Sequence, residues 1–211
     1  MSLLGCRLIV FVKAPRPGTV KTRLAATLGT EAACAAYCEL ATRLFANLRD
    51  LGDVELCFAP ADAELEIQSW RHEGWVLRPQ TEGDLGARMN SAFANAFAEG
   101  YARVLLIGSD CPEVSATDIG SAWDALAAHD LVLGPARDGG YWLIGLNRPQ
   151  PALFDRIPWS TDRVLTETLH RAEEQRLRIH RLRELEDVDT AEDWRAYQTR
   201  RDSLEADVGG C

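Results

Sequence analysis

RVLLIGSDCP, residues 103–112, is the stretch that decides the fold. Val104–Ile107 is an unbroken apolar run, Gly108 and Ser109 are small, and Asp110 follows at once. A run apolar on both faces is a strand buried between layers, as in parallel sheets. Pro112 cannot continue a ladder, so the strand stops near Asp110. One carboxylate is thereby set at the carboxyl end of a central strand, the edge where open α/β sheets bind ligands. A strand-end Asp that merely caps a turn has the same local sequence. Partners that converge on the same edge favour the ligand site.

Working outward, Arg7–Val12 is a first strand, followed by a Pro- and Gly-marked loop and the helix-friendly Leu24-Ala25-Ala26. The spacing predicts a helix over Glu31–Leu51, capped by Thr30 and closed by Gly52, with Tyr37, Leu40, Leu44 and Leu48 on a core face. Val54–Ala59 is a second strand, Asp62 caps a helix over Ala63–Arg71, and Trp75–Leu77 is a third strand. Asp84 can cap the next helix, where Leu85, Met89, Phe93 and Phe97 form one stripe. Beyond Pro112 come a helix over Thr117–Ala128 and strands over Leu131–Gly134 and Tyr141–Leu146. Thr161 caps a helix to Glu174, Arg178–Leu182 is a last strand, and Thr190 with Asp193 opens a final helix as a capping box. Strands alternating with helices give a three-layer α/β/α domain with a mostly parallel central sheet. The adjacent strands around Asp138 introduce an antiparallel element. One domain is expected over residues 1–201, with 202–211 a frayed tail.

The 211 residues suffice for one proper core. A net charge of −9 argues against a general nucleic-acid binder or an anionic membrane surface. No stretch reaches the length of a membrane span, and the N-terminus lacks the form of a secretory signal. The six cysteines contain no CxxC and read as buried free thiols of a reducing cytoplasm.

Four stretches carry chemistry. The loop after the first strand gathers Lys13, Arg16, Lys21 and Arg23 around Gly18. Cations before a helix N-terminus favour a phosphate, and glycine lets the backbone approach it. Neither the P-loop nor the GxGxxG pattern is present. Asp84 and Arg88, one turn apart, read equally as a capped i,i+4 pair or a nucleoside contact. Asp110 and Asp138 each follow a strand, although Asp138-Gly139-Gly140 is also an ordinary turn composition. One ring of the following Tyr141-Trp142 pair belongs to the core and the other to a pocket wall. Asp187 and Asp189, after a strand and before a helix, could join Asp110 on Mg²⁺ or Mn²⁺, or serve the final helix as caps. Cys111 has no neighbouring histidine to activate it. His72, His129, His170 and His180 lie in helix or strand patterns away from these loops.

With those residues in hand, the chain resembles a family of bacterial GT-A-like transferases. They are glycosyltransferase-like, and some are associated with radical-SAM, selenodomain or arsenosugar gene clusters. The matching motifs are KAPRPGTVKTRLA (13–25), GDLGARM (83–89), GSDCP (108–112), GPARDGGYWLIGL (134–146), IPWST (157–161) and DVDTAEDW (187–194). They cover the chain from Leu8 to Trp194. Ala191 departs from the family's usual proline, a residue that suits a first helical position without being required there. The resemblance implies the nucleotide-diphospho-sugar transferase fold. It implies nucleotide phosphates at Lys13, Arg16, Gly18, Lys21 and Arg23, and base and ribose near Asp84 and Arg88. A divalent metal falls at Asp110 and Asp189, with Asp187 nearby, and the acceptor at Asp138, Gly139, Gly140 and Tyr141. Asp110, Asp138 and Lys21 are the catalytic candidates. The expected activity is glycosyl transfer from a nucleotide-diphosphate sugar to a small-molecule acceptor. The alternatives are nucleotidyl transfer from an NTP with pyrophosphate release, and a non-catalytic nucleotide-binding module.

Overall fold

The computed structural model describes residues 5–208 of the chain. Seven strands form one sheet: β1 (Cys6–Lys13), β2 (Val54–Ala59), β3 (Val76–Pro79), β4 (Arg103–Ile107), β5 (Leu131–Pro135), β6 (Tyr141–Leu146) and β7 (Ile179–Arg181). Their order across the sheet is β3-β2-β1-β4-β6-β5-β7. All pairings are parallel except those of β6, which runs against both β4 and β5. The two strands around Asp138 are thus the antiparallel element that the sequence announces. The chain builds leftwards from β1 to β3 and returns to the right of β1 with β4. That reversal opens a crevice at the carboxyl ends of β1 and β4.

Alternation along β1 explains the layers. Leu8, Val10 and Val12 enter one core with Ala41, Leu44 and Phe45 of α2 (Thr30–Leu48) and Ile119 and Trp123 of α5 (Ala116–Ala125). Ile9 and Phe11 face the other core, with Met89 and Phe93 of α4 (Leu85–Ala98) and Ala172 of α6 (Val164–Glu174). Of the expected stripe on α4, Met89 and Phe93 are buried, while Leu85 and Phe97 are partly buried. Two further short helices, α1 (Thr22–Leu28) and α3 (Glu64–Ile67), flank the long α2, and α7 (Ala191–Val208) closes the chain.

Several boundaries move for identifiable reasons. Thr30 is the first residue of α2 rather than its cap; Gly29 precedes it with φ 86° and joins α2 directly to α1. Asp62 does not cap a helix but pairs with Arg16, and the expected 63–71 helix shrinks to α3 and a 3-10 turn. Thr161 does not cap α6; its hydroxyl donates to the Pro158 carbonyl, two residues ahead of the actual cap, Arg163. α5 begins earlier than expected because Ser115 and Asp118 form a capping box. Thr190 and Asp193 form the expected one at α7. That helix continues through Asp202 to Val208, where the sequence reads as a frayed tail. Residues 1–4 of the expected domain and 209–211 of the expected tail lie outside the described residues.

Gly86 explains one motif. A Cβ there would fall 2.7 Å from the Trp159 Nε1 and 2.9 Å from the Phe154 carbonyl oxygen, so only glycine lets α4 abut the IPWST segment.

The β7 edge depends on Asp130, which is 5% exposed. Its carboxylate accepts the Arg178 backbone N–H at 3.0 Å and the guanidinium at 3.1 and 3.3 Å. These bonds hold its pKa at about 2, below the ordinary 3.8. A depressed carboxylate stabilises the fold above its unfolded value and loses that contribution as pH falls through its folded value. Urea titrations of Asp130→Asn are therefore expected to show a loss of about 2 kcal/mol at pH 7. The difference from wild type should vanish as the pH is lowered from 3.8 to about 2.

Candidate active site

The crevice is assembled from three carboxyl-end segments. Asp110 follows β4. Asp138 sits in the turn between β5 and β6, where its carboxylate accepts the Gly140 N–H at 2.9 Å. The 185–190 segment is threaded between these two. Leu185 bonds the Pro135 carbonyl at 3.1 Å, the Leu185 carbonyl accepts Arg137 N–H at 3.1 Å, and Val188 N–H donates to the Asp110 carbonyl at 3.1 Å. Backbone bonds thus deliver Asp187 between β4 and β5. The result is a cavity of about 370 Å³ lined by Asp110, Asp138, Asp187 and Asp189, with Glu186 and Asp193 at its side and Arg23 and Arg137 as its cations.

Burial raises the Asp187 pKa to about 7, and the charges of Asp110 and Asp138 add to the rise; Lys21 offsets part of it. Such a cluster asks for positive charge. Lys21 supplies some. Its side chain is 2% exposed, and its ammonium lies 2.7 Å from Asp110 Oδ1, an ion pair outside hydrogen-bond alignment. The backbone of Lys21 is left-handed, at φ 48° and ψ 47°, where it turns the loop into α1. Lys21 is not a β-branched residue, but the conformation is still strained for any side chain. Arg23, 66% exposed, reaches Asp189 Oδ2 at 2.9 Å. Two cations of the first loop therefore each hold one carboxylate of the cavity.

The remaining site candidates divide. Lys13 ends β1 with its side chain exposed, and Gly18 has the positive φ, 82°, that glycine tolerates. Arg16 is drawn away onto α3, bonding Glu66 at 2.6 Å and Asp62 at 3.2 Å. The helix that follows the loop has seven residues, so the loop's anion preference rests on its side chains and not on a helix dipole. Asp84 caps α4 by accepting Ala87 N–H at 2.8 Å. Arg88 does not pair with the Asp84 carboxylate; it bonds the Asp84 carbonyl at 3.3 Å and the Gln80 side chain at 3.0 Å. Gln80 in turn donates to the Cys57 carbonyl at 2.8 Å, which fixes Arg88 at the β2 edge. Gly139 admits the neighbouring loop, since a Cβ there would meet the Asp162 carbonyl oxygen at 2.2 Å.

Tyr141 departs from expectation. Its ring packs in the core with α6 and its hydroxyl is buried beside Thr168, while Trp142 is buried on the opposite face and donates to the Arg183 carbonyl. The Tyr141 ring is partly buried and Trp142 is core, and neither lines the cavity. Cys111 is buried, its thiol donates to the Glu186 carbonyl at 3.4 Å, and burial pushes its pKa up. It has none of the features of an activated nucleophile. Arg137 and Glu186, an ion pair on the cavity wall, escaped the sequence reading although Arg137 adjoins Asp138.

The resemblance to GT-A-like transferases implies a divalent metal. Among the described residues, no three His, Cys, Asp or Glu side chains form a ready-made cage. The donors are hard carboxylate oxygens, and Asp110 and Asp187 are near enough for one charge to raise the other's pKa. Such a set fits Mg²⁺ or Mn²⁺, which bind one or two carboxylates together with substrate phosphates.

The sequence profile of DUF2064, described as an uncharacterized protein conserved in bacteria, matches residues 43–161. The chain belongs to DUF2064. A chain from Desulfovibrio desulfuricans, named as a candidate nucleotide-diphospho-sugar transferase, is 35% identical. It superposes with a TM-score of 0.83, covering 88% of this chain and 83% of its own. 4-Diphosphocytidyl-2C-methyl-D-erythritol synthase of Anaerococcus prevotii gives a TM-score of 0.58 at 13% identity, over 92% of this chain and 99% of its own. Rv0371c of Mycobacterium tuberculosis, solved with manganese, gives 0.54 at 17% identity, over 91% and 97%. The last two show the same fold, and with the Desulfovibrio chain this DUF2064 chain has the nucleotide-diphospho-sugar transferase architecture. No curated protein matches it by sequence, and among the described residues no helix is long and apolar enough to cross a membrane.

A carboxyl group whose folded pKa is raised disfavours the folded state once ionised. The metal-free protein therefore loses stability as pH rises from the ordinary 3.8 of Asp through the value of about 7 set for Asp187. Asp187→Asn is expected to remove that part of the pH dependence, measured as Tm against pH in chelator. Carboxyl NMR titration of Asp110→Asn is expected to show the Asp187 pKa falling, because a like charge has gone.

Proposed function

We propose that the chain is a single transferase domain, over residues 1–201, that uses a nucleotide-activated donor and Mg²⁺ or Mn²⁺. The reading rests above all on one observation: Lys21, at the end of the loop after β1, and Arg23, in the first turn of α1, each hold a carboxylate of the acidic cavity at the sheet switch point. Such pairs are set to exchange partners. A polyphosphate draws the two cations, and the carboxylates released are ligands for the ion that accompanies it. Asp110 and Asp189, the carboxylates so released, are the metal ligands on this reading, with Asp187 beside them. The ion, when bound, neutralises charge on the departing phosphate.

The chain's own residues do the rest. Lys13, Lys21 and Arg23 hold the donor phosphates, and Gly18 allows the loop to close on them. Arg88, set by Gln80 and Asp84, contacts the nucleoside. Asp138, with the Gly139-Gly140 backbone, orients the acceptor, and its carboxylate takes the acceptor's hydroxyl proton. Glycosyl transfer from a nucleotide-diphosphate sugar is the preferred reaction. The name of the 35% identical Desulfovibrio protein supports it. So does the engagement of Arg16 with Glu66, which leaves the loop fewer cations for a triphosphate. Nucleotidyl transfer is the second reading, supported by the same loop and by the cytidylyl product named for the Anaerococcus neighbour. The acidic, Arg-flanked cavity suits neither nucleic acid nor a membrane surface, and the free thiols suit a cytoplasmic setting.

Turnover of nucleotide sugars and of NTPs, each assayed with Mn²⁺, separates the readings. Sugar release without pyrophosphate is expected; pyrophosphate release from an NTP with no sugar-nucleotide turnover would replace glycosyl by nucleotidyl transfer. Lys21→Ala and Arg23→Ala are each expected to weaken nucleotide binding about tenfold at low salt, and less as salt is added. Asp110→Ala should abolish the enhancement of binding by Mn²⁺. Nucleotide binding indifferent both to Mn²⁺ and to Asp110→Ala would instead identify a non-catalytic binding module.

A further inference from the structure

β1 and β4 are paired up to Val10 and Ile107. Past that point β1 continues beside β2 to Lys13, while the chain after Ile107 turns away towards Asp110. The space between the parting strands is filled from α2. Tyr37 is 2% exposed. Its hydroxyl accepts the Lys13 N–H at 2.9 Å and donates to the Lys13 carbonyl at 3.1 Å. The Ser109 hydroxyl lies 3.1 Å from it. A phenol has one proton and two acceptor sites, so these contacts saturate it with Ser109 as the second donor. The side chain supplies the rung that a neighbouring strand no longer offers. Its ring packs with Val20 and Cys34, and stands edge-on to Trp70 with centroids 5.9 Å apart.

Lys13 opens the basic loop, Val20 precedes Lys21, and Ser109 precedes Asp110. One side chain therefore touches both ends of the cation loop and the residue before the principal carboxylate. We infer that Tyr37 is a positioning residue that fixes the spacing between the phosphate-holding loop and Asp110. The inference rests on the phosphate and metal roles proposed above, and it reaches further by assigning their alignment to one buried hydroxyl on a helix that otherwise serves the core. Phenylalanine at this place keeps the ring packing and loses the spacing bonds.

Isothermal calorimetry with inorganic pyrophosphate in the presence of Mg²⁺ tests it without knowledge of the base. Tyr37→Phe is expected to weaken pyrophosphate binding about tenfold, and Ser109→Ala about threefold. The double variant should be little weaker than Tyr37→Phe, because both changes remove one shared contact. Leu44→Ala, two turns along the same buried face and 0% exposed, is the control. It should lower Tm more than Tyr37→Phe does and keep wild-type affinity, as a merely structural contribution would. Wild-type affinity in Tyr37→Phe would overturn the positioning role and leave the phosphate site standing. Should Tyr37→Phe not fold, wild-type affinity in Ser109→Ala overturns it equally. Absence of Mg²⁺-dependent pyrophosphate binding in the wild-type protein would overturn the phosphate reading, and this inference with it.

Discussion

A buried ammonium has to have a counter-charge, and in this fold that requirement joins the first loop to the fourth strand. The Lys21 side chain is 2% exposed, and its ion partner is Asp110 at 2.7 Å. Removing Asp110, whose own side chain is half exposed, leaves the buried ammonium without its partner, which is far more costly than the pair itself is stabilising. Other features conform to this pair. Lys21 adopts a left-handed backbone to turn inward. The chain after β4 bends away from β1 to present Asp110. The 185–190 segment is bonded to the Asp110 carbonyl through Val188, which brings Asp187 into the field of the pair.

Seen as a charge distribution, the cavity engages each of its cations: Lys21 with Asp110, Arg23 with Asp189, Arg137 with Glu186. Asp138, Asp187 and Asp193 remain outside these pairs, and burial, with the charges of Asp110 and Asp138 added, raises the Asp187 pKa. On the function proposed above, a polyphosphate takes the cations and a divalent ion takes the carboxylates they release, so every displaced charge finds a new counter-charge.

How far the sequence could be read depended on the range of the interactions. Local signals carried over: the apolar run of Val104–Ile107 is β4, the span Tyr141–Leu146 is β6, and the Thr190–Asp193 capping box opens α7. Asp110, Asp138, Asp187 and Asp189 line one cavity: the first two follow β4 and β5 directly, and the segment after β7 carries the other two in between them. Long-range competition was not legible. Arg16 lies in the basic loop, but Glu66 and Asp62, remote in sequence, claim its guanidinium. Arg88 looked paired with Asp84 by helical spacing, yet Gln80 offers a partner already held by the β2 backbone. Alternation along β6 sends Tyr141 and Trp142 to opposite faces, but helices cover both faces here, and neither ring is among the residues that line the cavity. Tyr37 sits at perfect helical spacing among core residues, and nothing local distinguishes its hydroxyl from an ordinary buried one.

The contact between Arg23 and Asp189 spans 166 positions of the chain. Around it, Leu24 of α1 packs with Ala191 and Trp194 of α7, so the floor of the first loop is laid by the last helix. Contacts this far apart in sequence form late, because a large loop has to close before they contribute anything. During synthesis, the sheet from β1 to β4 can therefore assemble with its central carboxylate in place while the cavity beside it is still open on one side. The pocket comes into being as the carboxyl-terminal segment docks. In this fold the cavity is completed only once the segment after β7 has docked against the first loop and α1.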